Sequence, residues 1–85
     1  MAQIEIYTKT TCPYCVMAKR LLESKGQTWT EINLDHEPDR LDEMLERSGG
    51  RRTVPEIFID GKLVGGYDDL AALQSQGELD ALLGG

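Results

Sequence analysis

Polarity alternates through residues 3–8, with Ile4, Ile6 and Thr8 on one side and Gln3, Glu5 and Tyr7 on the other. A period of two is the mark of a strand. After the short polar loop Lys9-Thr10-Thr11 the period lengthens. Cys15, Ala18 and Leu22 fall at i, i+3 and i+7, Met17 and Leu21 widen the apolar stripe, and Lys19, Arg20 and Glu23 take the wet side. This predicts an amphipathic helix opened by Pro13, whose missing N–H costs nothing in a first turn. Gly26 stops it. Thr28 to Leu34 reads as a second strand, rich in β-branched residues. Pro38 opens a second helix through Leu41, Met44, Leu45 and Ser48, and Gly49-Gly50 ends it. Glu56 to Ile59 and Leu63-Val64 are short strands joined at Asp60-Gly61, a pair suited to a tight turn that needs positive φ at both central residues. Gly65-Gly66 breaks the last strand. Asp68-Asp69 suits a helix start by capping and dipole, and Leu70 to Gln76 and Glu78 to Leu83 form two helical pieces divided by Gly77.

The order is β-α-β-α-β-β-α. Its βαβ opening calls for parallel strands joined by a right-handed crossover, and its closing hairpin adds an antiparallel pair. The expected α/β fold is a mixed four-stranded sheet flanked by helices. Eighty-five residues make a single domain, residues 1–85, with a small core. Hydrophobic residues at 40% and charged residues at 28% argue against disorder. Fifteen acidic against nine basic side chains give a net charge of −6. That balance disfavours nucleic acid and anionic membrane as partners, which need clustered positive charge, and it suits a soluble monomer. No apolar run is long enough to cross a bilayer. Residues 1–6 lack the basic start and apolar stretch of a signal peptide, so a cytoplasmic location is expected.

In a reducing compartment, two cysteines are not a structural framework. Cys12 and Cys15 stand three apart around Pro13 and Tyr14. This spacing places Cys12 at or just before the helix N-terminus, facing the unpaired N–H groups of the first turn. A free thiol is only a few per cent ionised at neutral pH, and helix N-termini lower cysteine pKa values to about 3.5–7.5. Lys9 adds a positive charge nearby. Cys15, one turn on, lies deeper and within disulfide reach. An exposed nucleophile beside a buried resolving thiol is the arrangement that thiol–disulfide exchange needs. Other readings are weaker. A structural disulfide closing so short a loop contributes only about 2 kcal/mol. A zinc site needs about four ligands, and the lone His36 stands in a polar loop without a second cysteine pair, so no metal is expected. Inert core cysteines leave Pro13 and the polar loop before it unexplained.

Cys12-Pro13-Tyr14-Cys15 after the first strand, Thr53-Val54-Pro55 before the third, and Gly65-Gly66-Tyr67-Asp68-Asp69 after the fourth together resemble a bacterial dithiol glutaredoxin of the thioredoxin fold. The resemblance spans nearly the whole chain. One departure is Tyr67, where many relatives carry a third cysteine, so behaviour needing that thiol should be absent. The resemblance implies a cis bond before Pro55. A cis turn there leaves the Val54 N–H and C=O open to an extended cysteinyl segment, as an added strand would pair. Gly66 to Asp69 offer backbone N–H groups at a helix N-terminus, which suit a carboxylate, while Asp68 or Asp69 pairs an ammonium. These are the two charges on the γ-glutamyl end of glutathione. Asp68 as a mere helix cap is the competing reading. For the glycyl carboxylate the candidates are Lys9, then Arg40, then Arg51 and Arg52. Tyr14 is expected to pack over the sulfur site, Trp29 and Phe58 in the core, and His36 on the surface.

The resemblance therefore implies a glutathione-dependent disulfide oxidoreductase. Cys12 is its nucleophile, Cys15 its resolving thiol, and glutathione a co-substrate with no tightly bound cofactor. Thr53, Val54, Pro55, Gly66 and Tyr67 belong to the expected glutathione site. Partners would be glutathionylated or disulfide-containing proteins and, indirectly, glutathione reductase and NADPH. Two rivals share the fold. A donor reduced by thioredoxin reductase would lack the glutathione receptor, against which Lys9 and Gly66 to Asp69 speak. A glutathione-ligated iron–sulfur carrier is disfavoured by Pro13, which stiffens the cysteine loop.

Overall fold

The computed structural model describes residues 2–84. Four strands, β1 (Ile4–Thr8), β2 (Thr30–Asn33), β3 (Glu56–Ile59) and β4 (Lys62–Gly65), form one sheet in the order β2-β1-β3-β4. β1 runs parallel to β2 and antiparallel to β3, and β3 and β4 close the antiparallel hairpin. The helices are α1 (Pro13–Ser24), α2 (Leu41–Ser48), α3 (Tyr67–Ser75) and α4 (Leu79–Leu82).

Two apolar clusters cover the two faces of the sheet. Ile4, Ile6, Ile57 and Ile59 pack with Ala18 and Leu22 of α1, Leu70 of α3 and Leu79 of α4. Tyr7, Ile32, Leu34 and Phe58 pack with Met44 of α2 on the other side. Leu22, Leu70 and Leu79 are fully buried, each contributing about 1.5–3 kcal/mol over exposure. Alternation along β1 thus separates two buried faces rather than a wet face from a dry one, and Tyr7 is a core residue. Its hydroxyl donates to Glu43 and accepts from Arg47 Nη1 at 2.9 Å. Arg47 pairs in turn with Glu5 and lies over the Phe58 ring, 4.1 Å from its centroid.

The turn chemistry has the expected form. Asp60 and Gly61 both take positive φ, 52° and 80°, and the Asp60 carboxylate also accepts from the Gln3 N–H at 2.8 Å. Gly26, with φ 71°, follows the last turn of α1, where Gln27 N–H reaches Leu22 O at 3.1 Å.

Three expectations are corrected. β2 is shorter than Thr28 to Leu34, and Trp29 packs half-buried at the edge of the first cluster rather than in a strand. Pro38 opens a 3₁₀ turn, Pro38–Arg40, that leads into α2. Finally, α3 begins at Tyr67 with Gly66 as its N-cap. The capping carboxylate is that of Asp69, which accepts from the Gly66 N–H at 3.0 Å, and not that of Asp68.

Candidate active site

The β1-to-α1 loop is pinned from outside before it reaches the cysteines. Asp35, after β2, accepts from the Thr10 N–H at 2.7 Å. That bond, aided by the charges of Lys9 and His36, holds the Asp35 carboxyl below its ordinary range. Cys12 then takes extended backbone as the N-cap of α1, with Pro13 in the first turn. Its Sγ accepts from the Cys15 N–H at 3.1 Å. The sulfur therefore occupies the position a serine or aspartate oxygen would take in capping a helix. Cys15 is buried at 1% exposure while Cys12 is half-buried, and the two are joined as a disulfide with Cα atoms 5.2 Å apart.

The loop before β3 faces this helix end. The Val54–Pro55 peptide is cis, and the Val54 carbonyl oxygen lies 3.8 Å from Cys12 Sγ. A cleft of about 300 Å³ runs from there to the start of α3. Thr53, Val54 and Pro55 form one wall, Gly66, Tyr67, Asp68 and Asp69 the other, and Tyr14 and Arg51 complete the lining. Tyr14, 58% exposed, stacks on Tyr67 with ring centroids 6.1 Å apart. The sequence motifs thus converge: all three border one continuous cleft beside the cysteine pair.

The basic candidates separate. Arg51 lines the cleft. Arg40 does not: its guanidinium is held by Glu43, with Nη2 to Oε2 at 2.9 Å, and lies 3.7 Å from Glu37. The Tyr7 hydroxyl and Arg40 together hold the Glu43 carboxyl low. Lys9 and Arg52 are exposed and lie outside the cleft lining. Asp69 is engaged by the Gly66 N–H and approached by Arg51, whereas Asp68 is exposed on the first turn of α3.

Two residues beside the cleft were read in the sequence only as parts of strands or motifs, without a role at the site. Gly65, at φ 119°, packs so closely on Asp69 that a Cβ would overlap the carboxylate. Glu56, directly after Pro55, is fully buried. Alternation was the available signal, since Glu56 shares its face of β3 with Phe58 and so had to point inward. Among the described residues, no cluster of three His, Cys, Asp or Glu side chains is placed to hold a metal ion, and no helix is long and apolar enough to cross a membrane.

Two thiols that close onto one another at a helix N-terminus, one accessible and one buried, exchange electrons with other disulfides. On this sheet topology they make the protein a thiol–disulfide oxidoreductase of thioredoxin-like fold. The glutaredoxin family profile matches residues 4–64. Glutaredoxin 3 of Escherichia coli K12 is 55% identical over 83 residues, covering 98% of this chain and 99% of the relative. Among solved structures, the solution structure of a Brucella melitensis glutaredoxin superposes with a TM-score of 0.82 at 51% identity, over 98% of this chain and 89% of that one. The crystal structure of a buckwheat glutaredoxin–glutathione complex does so at 0.88 and 34% identity, over 96% and 76%. The chain belongs to the glutaredoxin family.

Proposed function

We propose that the electrons come from glutathione and that the preferred substrates are protein–glutathione mixed disulfides. The observation that carries this reading is the cleft itself. It joins the open backbone of Val54, beside Cys12, to a helix N-terminus flanked by a carboxylate. An extended tripeptide with a thiol at its centre and both charges at one end fits that layout. Its cysteinyl backbone pairs with Val54, its γ-glutamyl carboxylate meets the N–H groups after Gly66, and its ammonium meets Asp68. Thr53, Pro55, Tyr14 and Tyr67 wall it in. Lys9, in the loop before Cys12, is the cation offered to the glycyl carboxylate, while Arg51, in the lining, lies against Asp69 at the γ-glutamyl end. Arg40, already paired, is the weaker candidate.

Cys12 thiolate attacks the glutathione sulfur of a mixed disulfide. The protein leaves as its thiolate, and Cys12 keeps the glutathionyl group. A second glutathione thiolate attacks the sulfur of that group, so glutathione disulfide departs and Cys12 thiolate returns. With a protein disulfide, Cys12 forms a mixed disulfide with the client and Cys15 attacks Cys12, expelling the reduced client. Two glutathiones then reduce the Cys12–Cys15 bond.

The test is NADPH consumption with a small glutathione mixed disulfide, coupled to glutathione plus glutathione reductase in one cuvette and to thioredoxin reductase in another. Turnover in the first alone is expected. Turnover in the second alone would reduce the α3 terminus to an ordinary helix cap. Silence in both, with a brown chromophore after anaerobic purification, would favour the cluster carrier.

A further inference from the structure

Among the described residues, Glu56 is the one buried carboxylate, and it stands directly after Pro55 of the cleft wall. Its side chain is 0% exposed, Oε2 accepts from Thr53 Oγ1 at 3.3 Å, and Oε1 has no hydrogen-bond partner. A buried charge needs a counter-charge. The nearest is Arg51, whose Nε lies 3.5 Å from Oε1, within ion-pair range but not aligned for a hydrogen bond. Arg51 is held at two further points. At its root, Ser48 at the end of α2 accepts from the Arg51 N–H at 3.1 Å and donates to the Arg51 carbonyl at 3.2 Å. At its tip, Nη2 lies 3.6 Å from Asp69 Oδ2, the oxygen that caps Gly66.

The side chain is therefore a strut from the end of α2, across the start of β3, to the first turn of α3. We propose that Glu56 is a positioning residue for the substrate cleft: by anchoring the middle of Arg51 it keeps the guanidinium against Asp69 and fixes the α3 terminus in its ligand-ready geometry. This deepens the proposed function and rests on it, since it assumes that the α3 terminus receives a ligand carboxylate. Without the Glu56 charge, Arg51 keeps its root and loses its middle anchor. A long side chain must then be ordered again each time substrate binds. Burial raises the Glu56 carboxyl above its ordinary range, aided by the Asp69 charge, and the Arg51 charge and the Thr53 hydroxyl oppose that rise.

The experiment uses the full chain carrying Glu56→Gln, which preserves volume and leaves an oxygen for Thr53. Two readouts are taken. The ¹⁵N relaxation of Arg51 Nε should show greater mobility in E56Q. The KM for a glutathionylated substrate should rise about two- to tenfold, the cost of ordering one long side chain on binding, while kcat changes less than twofold. In an Arg51→Gln background, E56Q should add nothing to KM, because the effect travels through Arg51. An equally ordered Arg51 Nε, an unchanged or lowered KM, or the same rise with and without Arg51 would each overturn the proposal. Arg51→Lys is the independent second variant. It keeps a cation near Glu56 but cannot span to Asp69, so KM should rise in the same range, and an unchanged KM refutes the strut. A parent protein silent toward glutathionylated substrates would sink the glutathione reading instead, leaving the Nε relaxation to decide on the strut alone.

Discussion

Gly65→Ala is the sharpest single perturbation of the site. Gly65 ends β4 at φ 119°, a backbone region that L side chains rarely adopt. Holding alanine there costs about 1–3 kcal/mol. The new Cβ would also overlap the Asp69 carboxylate and stand 3.0 Å from Arg51 Nη1. Asp69 is the mobile party, so it must swing away and release the Gly66 N–H that it caps, a loss of about 0.5–2 kcal/mol. The two effects together destabilise the fold by about 1.5–5 kcal/mol, and for a domain of this size that corresponds to a fall in Tm of roughly 6–40 °C. Thermal unfolding of the oxidised protein measures it directly. A second background separates the contributions: with Asp69→Ala already present, the clash and the cap are both gone, and G65A should cost only the backbone strain. A fall of less than about 3 °C, or an equal cost with and without Asp69, would refute this account of why glycine is needed at the end of β4.

Other outcomes follow from the same geometry. Cys15→Ser should keep deglutathionylation and lose most reduction of protein disulfides, whereas Cys12→Ser should lose both; steady-state assays with the two substrate types decide, and loss of both in C15S would end the division of roles. Asp68→Asn should raise KM for glutathionylated substrates about two- to fivefold, in line with an exposed ion pair, with Tm lowered only slightly by the lost first-turn charge, because Asp69 and not Asp68 caps α3. Glu56→Gln should gain stability relative to the parent at neutral pH. The folded-state carboxyl lies above its unfolded value, so the parent loses stability as pH rises from the ordinary carboxylate range through the raised value. That loss is complete above the raised value, and the difference from E56Q should vanish in acid; a denaturation series across pH tests this.

Much of this was legible in the residues because local rules and tertiary packing agree. The cysteine spacing, the Asp60-Gly61 turn and the apolar stripe of α1 each have one good structural solution, and the three motifs around the cleft were readable as a set. What was not legible depends on partners distant in sequence. Tyr7 looked like the polar side of a strand because nothing local reveals that α2 covers that face. Arg40, Arg51 and Arg52 are equivalent as letters. Arg40 goes to its i+3 neighbour Glu43, a pairing that helical spacing alone allows, and only the fold gives Arg51 to the cleft. Asp68 and Asp69 are likewise adjacent and alike, and a one-residue shift in where α3 begins decides which of them caps it. Glu56 was hidden by the habit of reading charge as exposure.

Cys12 gives α1 its reactive end, and it is also the residue that closes that end, by accepting the Cys15 N–H. Binding linkage runs both ways: whatever free energy the helix contributes to holding negative charge on the sulfur, the charged sulfur returns to the helix. A bare thiolate is the strongest acceptor Cys12 can offer, and a sulfur shared with a client is a weaker one. Each turnover therefore loosens the first turn of α1 while Cys12 is held in a disulfide and tightens it when reduction returns the thiolate. The step that frees the Cys12 sulfur from its last disulfide and the recovery of full helix order are therefore the same event.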